Sequence, residues 1–169
     1  YNLMERRKLH IALVGNPNSG KSSVFNCLTG LNQKVGNFPG VTVDKKTGIA
    51  SFSNGQAVKV IDLPGTYSLY PTREDEWVSY KVLLNQDKEL KADVVVVIAD
   101  ASNLKRNLLF CTQIIDLKVP VVIALTMMDL AKRKGINIDT AELERELGVP
   151  VVIVNPRKNK GISQLKKVI

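Results

Sequence analysis

The sequence is short of several residue types that mark particular classes of protein. It holds one histidine, one tryptophan and two cysteines in 169 residues, and aromatics make up only 5%. With an apolar fraction of 44%, so few aromatics point to a core of valine, isoleucine and leucine and away from an aromatic-rich all-β domain. No run of about 18 apolar residues occurs, so no segment reads as a membrane-spanning helix. Tyr1 to His10 is charged, with no long apolar stretch or cleavage pattern, and does not read as a signal peptide. Cys27 and Cys111 fall in helical patterns without a CxxC spacing or a Cys/His cluster, so both read as buried structural thiols under reducing conditions. His10 opens the first strand pattern and is given no chemical role.

What is present fits one domain with a substantial core. The start at Tyr1 and the end at Val168-Ile169, inside a helical pattern, suggest a piece of a longer protein. A formal charge of +8 calls for a partner or a reason. Its lysines are scattered (Lys45-Lys46, Lys132 and Lys134, Lys158 and Lys160, Lys166-Lys167) with no interleaved aromatics, so nucleic acid is not expected. A solvated surface is the first reading, and a place beside an anionic membrane face is the second.

Five apolar runs have strand character: Ile11 to Val14, Val58 to Ile61, Val94 to Ala99, Val121 to Leu125 and Val151 to Val154. They are continuous instead of alternating, as parallel strands buried on both faces are. Thr47 to Phe52 adds an edge strand before an Asn54-Gly55 turn. Helical patterns lie between them over Lys21 to Thr29, Glu74 to Asn85, Leu104 to Leu117 and Thr140 to Leu147. Asp139 or Thr140 caps the last of these, and Gly148 ends it. The expected fold is a doubly wound α/β domain with a mostly parallel six-stranded sheet and helices on both faces. Leu31 to Asp44 shows no periodicity and reads as a long functional loop. Ligands of such folds bind at the carboxyl ends of the strands, so chemical motifs belong just after strands.

Gly15-Asn16-Pro17-Asn18-Ser19-Gly20-Lys21-Ser22 matches GxxxxGK[ST] between a strand and a helix, with Ser23 following. Its glycines let backbone N–H groups turn toward phosphate oxygens at a helix N-terminus. Lys21 would reach the β- and γ-phosphates, and the Ser22 hydroxyl would ligate Mg²⁺. Asp62-Leu63-Pro64-Gly65 follows the second apolar run. Its carboxylate would hold Mg²⁺ through water, and the Gly65 N–H would meet the γ-phosphate. Thr42, in the long stretch, would ligate Mg²⁺ only when a γ-phosphate is present, as an order–disorder switch does. Thr126-Met127-Met128-Asp129 stands where guanine recognition usually places Asn-Lys-x-Asp. There Asp129 would accept two hydrogen bonds from the base; its alternative is a helix cap. Asn155-Pro156-Arg157 stands where Ser-Ala-Lys or Ser-Ala-Arg is usual, and Pro156 has no N–H to donate.

Together these residues resemble the FeoB family, bacterial ferrous-iron transporters with an N-terminal G domain of the TRAFAC class of P-loop GTPases. The phosphate loop continues into Val24-Phe25-Asn26 and Leu28-Thr29-Gly30. The stretch Val35 to Val43, with Lys45-Lys46 and Gly48, looks like the family's first switch, with Phe38 where tryptophan is usual. Asp62 to Gly65 with Thr66-Tyr67-Ser68-Leu69 looks like its second switch. The resemblance covers nearly the whole chain.

The resemblance implies a Ras-like P-loop GTPase fold over residues 1–169. It implies binding of GTP and GDP with Mg²⁺, and hydrolysis slow in itself and stimulated by K⁺. Asn18 would hold K⁺ against the phosphates; Lys21, Thr42 and Gly65 would share the catalytic work. The domain would regulate or gate ferrous-iron transport across the bacterial inner membrane, from the cytoplasmic face. Its partners would be a transmembrane iron-permease part of the same polypeptide, reached through helical segments beyond this chain, and small regulatory Feo proteins. No iron would bind here directly. Thr126, Met127 and Asn155-Pro156-Arg157 depart from the family's base-binding pattern. Thr66 follows Gly65 where a water-orienting glutamine is found in other GTPases. A nucleotide-sensing module with slow turnover and a ribosome-associated GTPase are the alternative readings, with an ATP-dependent P-loop protein behind them.

Overall fold

A computed structural model describes residues 9–15, 20–30, 33–37, 44–51, 57–63, 93–116 and 119–168 of the chain. In chain order its elements are β1 (Leu9–Gly15), α1 (Lys21–Thr29), β2 (Gln33–Asn37), β3 (Asp44–Ser51), β4 (Ala57–Asp62), β5 (Val94–Asp100) and α2 (Leu104–Ile115). They continue with β6 (Val121–Thr126), α3 (Met128–Arg133), α4 (Thr140–Leu147), β7 (Val151–Ile153) and α5 (Ile162–Val168). Short 3₁₀ turns occupy Ala101–Asn103 and Pro156–Lys158.

The strands form one sheet in the order β2-β3-β4-β1-β5-β6-β7. From β4 to β7 neighbours run parallel, whereas β2–β3 and β3–β4 are antiparallel. All six expected strands form, and β2 makes the sheet seven-stranded; because β2 flanks β3, the strand expected at the edge over Thr47 to Phe52 is internal. That addition corrects the reading of Leu31 to Asp44 as one long loop. Gln33–Asn37 carries a single β-branched residue and no apolar alternation, which an edge strand tolerates because one partner strand satisfies half its backbone. The expected helix over Glu74 to Asn85 and the Asn54-Gly55 turn lie outside the described residues.

Alternate side chains of each parallel strand enter two cores. On one face Ala12, Val14, Ile61, Val95, Val97, Ile123 and Leu125 pack with Phe110, Cys111 and Ile114 of α2. On the other, Ile11, Leu13, Val60, Val96, Ile98 and Ala124 pack with Val24, Phe25 and Leu28 of α1 and with Ile162 and Leu165 of α5. A helix repeats every 3.6 residues, so Val24, Phe25 and Leu28 share a face. Burying Phe25, 1% exposed, stabilises the domain by about 2–3 kcal/mol. Cys111 is buried as expected, but Cys27 is only half-buried, because it stands on the flank of that stripe.

Local chemistry bounds α4 where the sequence indicates. The Asp139 side chain accepts a hydrogen bond from the Glu142 N–H at 3.2 Å, and Gly148 closes α4 in the left-handed region at φ 71°. Helix α2 ends at Ile115, short of the expected Leu117, with Asp116 as its cap. Helix α3 has no counterpart among the expected helices. Its six residues span less than two turns, too few to show a periodicity.

Candidate functional site

Chain order reverses at β1, which lies between β4 and β5. The crevice beyond the carboxyl ends of such strands is where open α/β sheets take ligands. Gly15 ends β1 there, and Gly20 opens α1. Gly20 has φ 86°, a conformation glycine adopts without strain, and an added Cβ would lie 3.7 Å from Met127 Cε and 4.0 Å from Thr126 Cγ2. The start of α1 therefore touches the turn after β6. The first turn of α1 contains no acidic residue, and among the described residues no side chain caps it. Its N–H groups keep the partial positive charge of a helix N-terminus, as anion sites require.

Lys21 stands in that first turn yet is only 6% exposed. Its ammonium lies 2.7 Å from Asp62 Oδ1 and donates a hydrogen bond to the Leu63 carbonyl. Asp62 ends β4, and the Leu63 N–H extends the sheet pairing by donating to the Leu13 carbonyl at 3.1 Å. Strand pairing thus carries the second motif up to the first. Residues separated by 41 positions meet because β4 and β1 are parallel neighbours. The Asp62–Lys21 contact is an ion pair, with Oδ1 outside hydrogen-bonding geometry. Ser22 and Ser23 are exposed on the same turn.

The third cluster is the end of β6. Thr126 is 1% exposed, and its hydroxyl donates to the Ala99 carbonyl of β5 at 3.2 Å. Met127 adopts φ 61°, the left-handed region that costs a side-chain-bearing residue about 1 kcal/mol, and α3 starts directly after it. Strain of that kind gathers at functional turns. Asp129 is open to solvent; its Oδ1 accepts from the Leu130 N–H at 3.0 Å, and its Oδ2 lies 3.6 Å from the Arg133 guanidinium. It sits inside the first turn of α3 and does not act as the helix cap, which is Met127.

Beside it, β7 feeds the turn Asn155-Pro156-Arg157. Asn155 exchanges backbone hydrogen bonds with Lys160, at 2.9 and 3.0 Å, and its side chain accepts from the Lys158 N–H at 3.3 Å. The Pro156 carbonyl accepts from the Cys27 thiol of α1 at 3.3 Å, and partial burial raises that thiol's pKa. Arg157 is exposed.

The structure therefore brings Gly15, Gly20, Lys21, Ser22, Ser23, Asp62, Thr126, Met127, Asp129, Asn155, Pro156 and Arg157 to one edge of the sheet. Asn16, Pro17, Asn18, Ser19, Thr42 and Gly65 lie outside the described residues. Two participants carry no side-chain signal, Leu63 and Ala99, since each meets Lys21 or Thr126 through its backbone carbonyl. Among the described residues no helix is long and apolar enough to cross a membrane.

Comparison with known proteins agrees with this geometry. Residues 9–169 match the family described as ferrous iron transport protein B. The chain is 47% identical over 163 residues to the Fe(2+) transporter FeoB of Leptospira biflexa, covering 96% of this chain and 23% of that protein. With the Fe(2+) transporter FeoB of Salmonella typhimurium the identity is 43% over 167 residues, or 96% of this chain and 21% of the relative. The chain thus spans less than a quarter of the length of these relatives. Among solved structures, the G domain of the T. maritima FeoB iron transporter superposes with TM-score 0.86 at 40% identity, over 95% of this chain and 96% of that one. The cytosolic domain of the same transporter in its GMPPNP form gives 0.87 at 41% identity, over 95% of this chain and 62% of that one.

Proposed function

The chain belongs to the ferrous iron transport protein B family, and from that membership we propose that it is the nucleotide switch of a longer transporter. In this reading it binds guanine nucleotide at the carboxyl edge of the sheet and hydrolyses GTP to GDP and phosphate. The observation that carries it is the position of Lys21. Its ammonium is held in the first turn of α1 against Asp62, beside N–H groups that no described side chain caps.

The chemistry follows from positions. A triphosphate on the loop before α1 meets the helix dipole and the Lys21 charge, which offset the negative charge that builds on the transferred phosphoryl group. Oxygen ligands suit Mg²⁺. Ser22, exposed in the first turn, and the Asp62 carboxylate fit that preference, and Thr42 would join them when the γ-phosphate is in place. The ion, when bound, neutralises phosphate charge. Asn18 would hold K⁺ against the phosphates. Asp129 accepts hydrogen bonds from the base, and its exposure leaves both oxygens reachable. Asn155-Pro156-Arg157 borders the base from the neighbouring strand.

The switch would act on a transmembrane iron-permease part of the same polypeptide from the cytoplasmic face of the inner membrane, with small Feo proteins as regulators. Phosphate release from GTP and from ATP, each in KCl and in NaCl, tests the reading. GTP-selective release that is faster in KCl is expected. Equal, negligible release in all four conditions would favour a sensing module driven by nucleotide exchange, a reading to which the Thr66 after Gly65 lends weight.

A further inference from the structure

A guanine base presents two kinds of polar group. N7 and O6 accept hydrogen bonds, whereas N1–H and the exocyclic N2 amino group donate them. A site that reads the whole base therefore needs donors as well as acceptors. Ionised Asp129 supplies acceptors only. Among the described residues, the nearest candidate donors are Thr126 at the end of β6 and the turn after β7, the strand paired beside β6.

The Thr126 hydroxyl and two backbone donors of that turn are already committed. The Thr126 oxygen lies 3.2 Å from the Ala99 carbonyl, and a carbonyl has no proton to give. The hydrogen in that contact belongs to Thr126, and a hydroxyl has one. It ties the ends of β5 and β6 together from a side chain that is 1% exposed. In the next turn Pro156 has no N–H. The Asn155 N–H donates to the Lys160 carbonyl at 2.9 Å, and the Lys158 N–H donates to Asn155 Oδ1 at 3.3 Å.

We infer that this site reads guanine through its donor edge, N1–H and the N2 amino group on Asp129, and leaves N7 without a hydrogen bond because Thr126 spends its proton on Ala99. Thr126 thus sets how much of the base is read, and the inference rests on the guanine-nucleotide reading above. The consequence is selective. Adenine and guanine share N7, so an unread N7 lowers affinity for purines in general. Preference for guanine over adenine stays with Asp129.

The test compares dissociation constants of the chain for GDP, 7-deaza-GDP and inosine diphosphate by calorimetry, with Thr126→Asn beside the wild type. GDP and 7-deaza-GDP are expected to bind within about twofold of each other, while inosine diphosphate, lacking the N2 amino group, binds about tenfold more weakly or worse. Thr126→Asn introduces an amide donor and should favour GDP over 7-deaza-GDP by about tenfold. A wild-type loss of about tenfold on 7-deaza-GDP would show that N7 is read and overturn the inference, as would undiminished binding of inosine diphosphate. Because the wild-type comparison needs no variant, misfolding of Thr126→Asn would not shield it. Absence of any GDP binding is a separate result: it would remove the guanine-nucleotide reading, and this inference with it.

Discussion

The ammonium of Lys21 lies 2.7 Å from the Asp62 carboxylate, joining the first turn of α1 to the last residue of β4. Both side chains are largely withdrawn from water, at 8% and 9% exposure. One contact thereby links the residue expected to meet phosphate to the residue expected to meet Mg²⁺. A nucleotide with its metal ion would divide this pair between two partners, each of opposite charge to the group it meets.

Lys21→Ala should therefore have two separable effects. Loss of the charge beside the γ-phosphate should lower GTP hydrolysis by about 100-fold or more. The Asp62 carboxylate, with Oδ1 making no hydrogen bond of its own, would be left unpaired and nearly buried, at a cost of about 3 kcal/mol to the nucleotide-free domain. Single-turnover phosphate release and urea unfolding read the two effects. Hydrolysis at the wild-type rate would remove the phosphate-loop assignment.

Asn18→Ala tests the cation. If Asn18 holds K⁺ against the phosphates, the variant should hydrolyse GTP equally in KCl and NaCl while its GDP dissociation constant changes less than about threefold. A retained potassium response would move the cation to other ligands.

Much of this arrangement can be read from the residues alone, and the exceptions have physical causes. Val94 to Ala99 and Val121 to Leu125 are unbroken apolar runs, and both become buried parallel strands. The phosphate loop declares itself because glycine, lysine and serine are needed at fixed spacing between a strand and a helix. β2 stays hidden because an edge strand such as Gln33–Asn37 needs no apolar alternation. The contact of Lys21 with Leu63, and that of Thr126 with Ala99, ends on a carbonyl, a group every residue has. Which carbonyl is met depends on strand order and register, and these are settled only when the sheet assembles. Cys27 shows the same limit: helical spacing places it beside the core stripe, but its partner, the Pro156 carbonyl, comes from the far end of the chain.

Gly161→Ala should destabilise the fold far more than Gly148→Ala, although both glycines have positive φ, at 82° and 71°. A Cβ on Gly161 would sit 2.1 Å from the Ile153 carbonyl oxygen, whereas nothing lies within 4 Å of one on Gly148. Backbone strain alone costs Gly148→Ala about 1 kcal/mol. Gly161→Ala adds a clash with backbone, for a total of about 2–4 kcal/mol. Urea midpoints for the two variants measure the difference, and equal shifts would mean that the turn before α5 relaxes freely.

Cys111 supplies a pH dependence whose direction is fixed by burial. Its thiol, packed between α2 and the sheet, is raised from 9.0 to about 12 by desolvation, against the smaller opposing effect of a backbone hydrogen bond. Above pH 9 the unfolded chain loses this proton while the folded chain keeps it. The unfolded state then binds fewer protons, so stability falls with rising pH, by about 1.4 kcal/mol per unit between the two values. Below pH 9 the thiol is protonated in both states and contributes no slope. Cys111→Ala removes the group at the cost of a small cavity, about 1 kcal/mol independent of pH. Urea unfolding of both proteins near pH 8 and near pH 10.5 isolates the term, because every other titrating group is common to the two. The wild type should lose about 2 kcal/mol more than the variant across that interval. Equal losses would mean that the thiolate reaches water without unfolding, and that α2 opens from the sheet on its own.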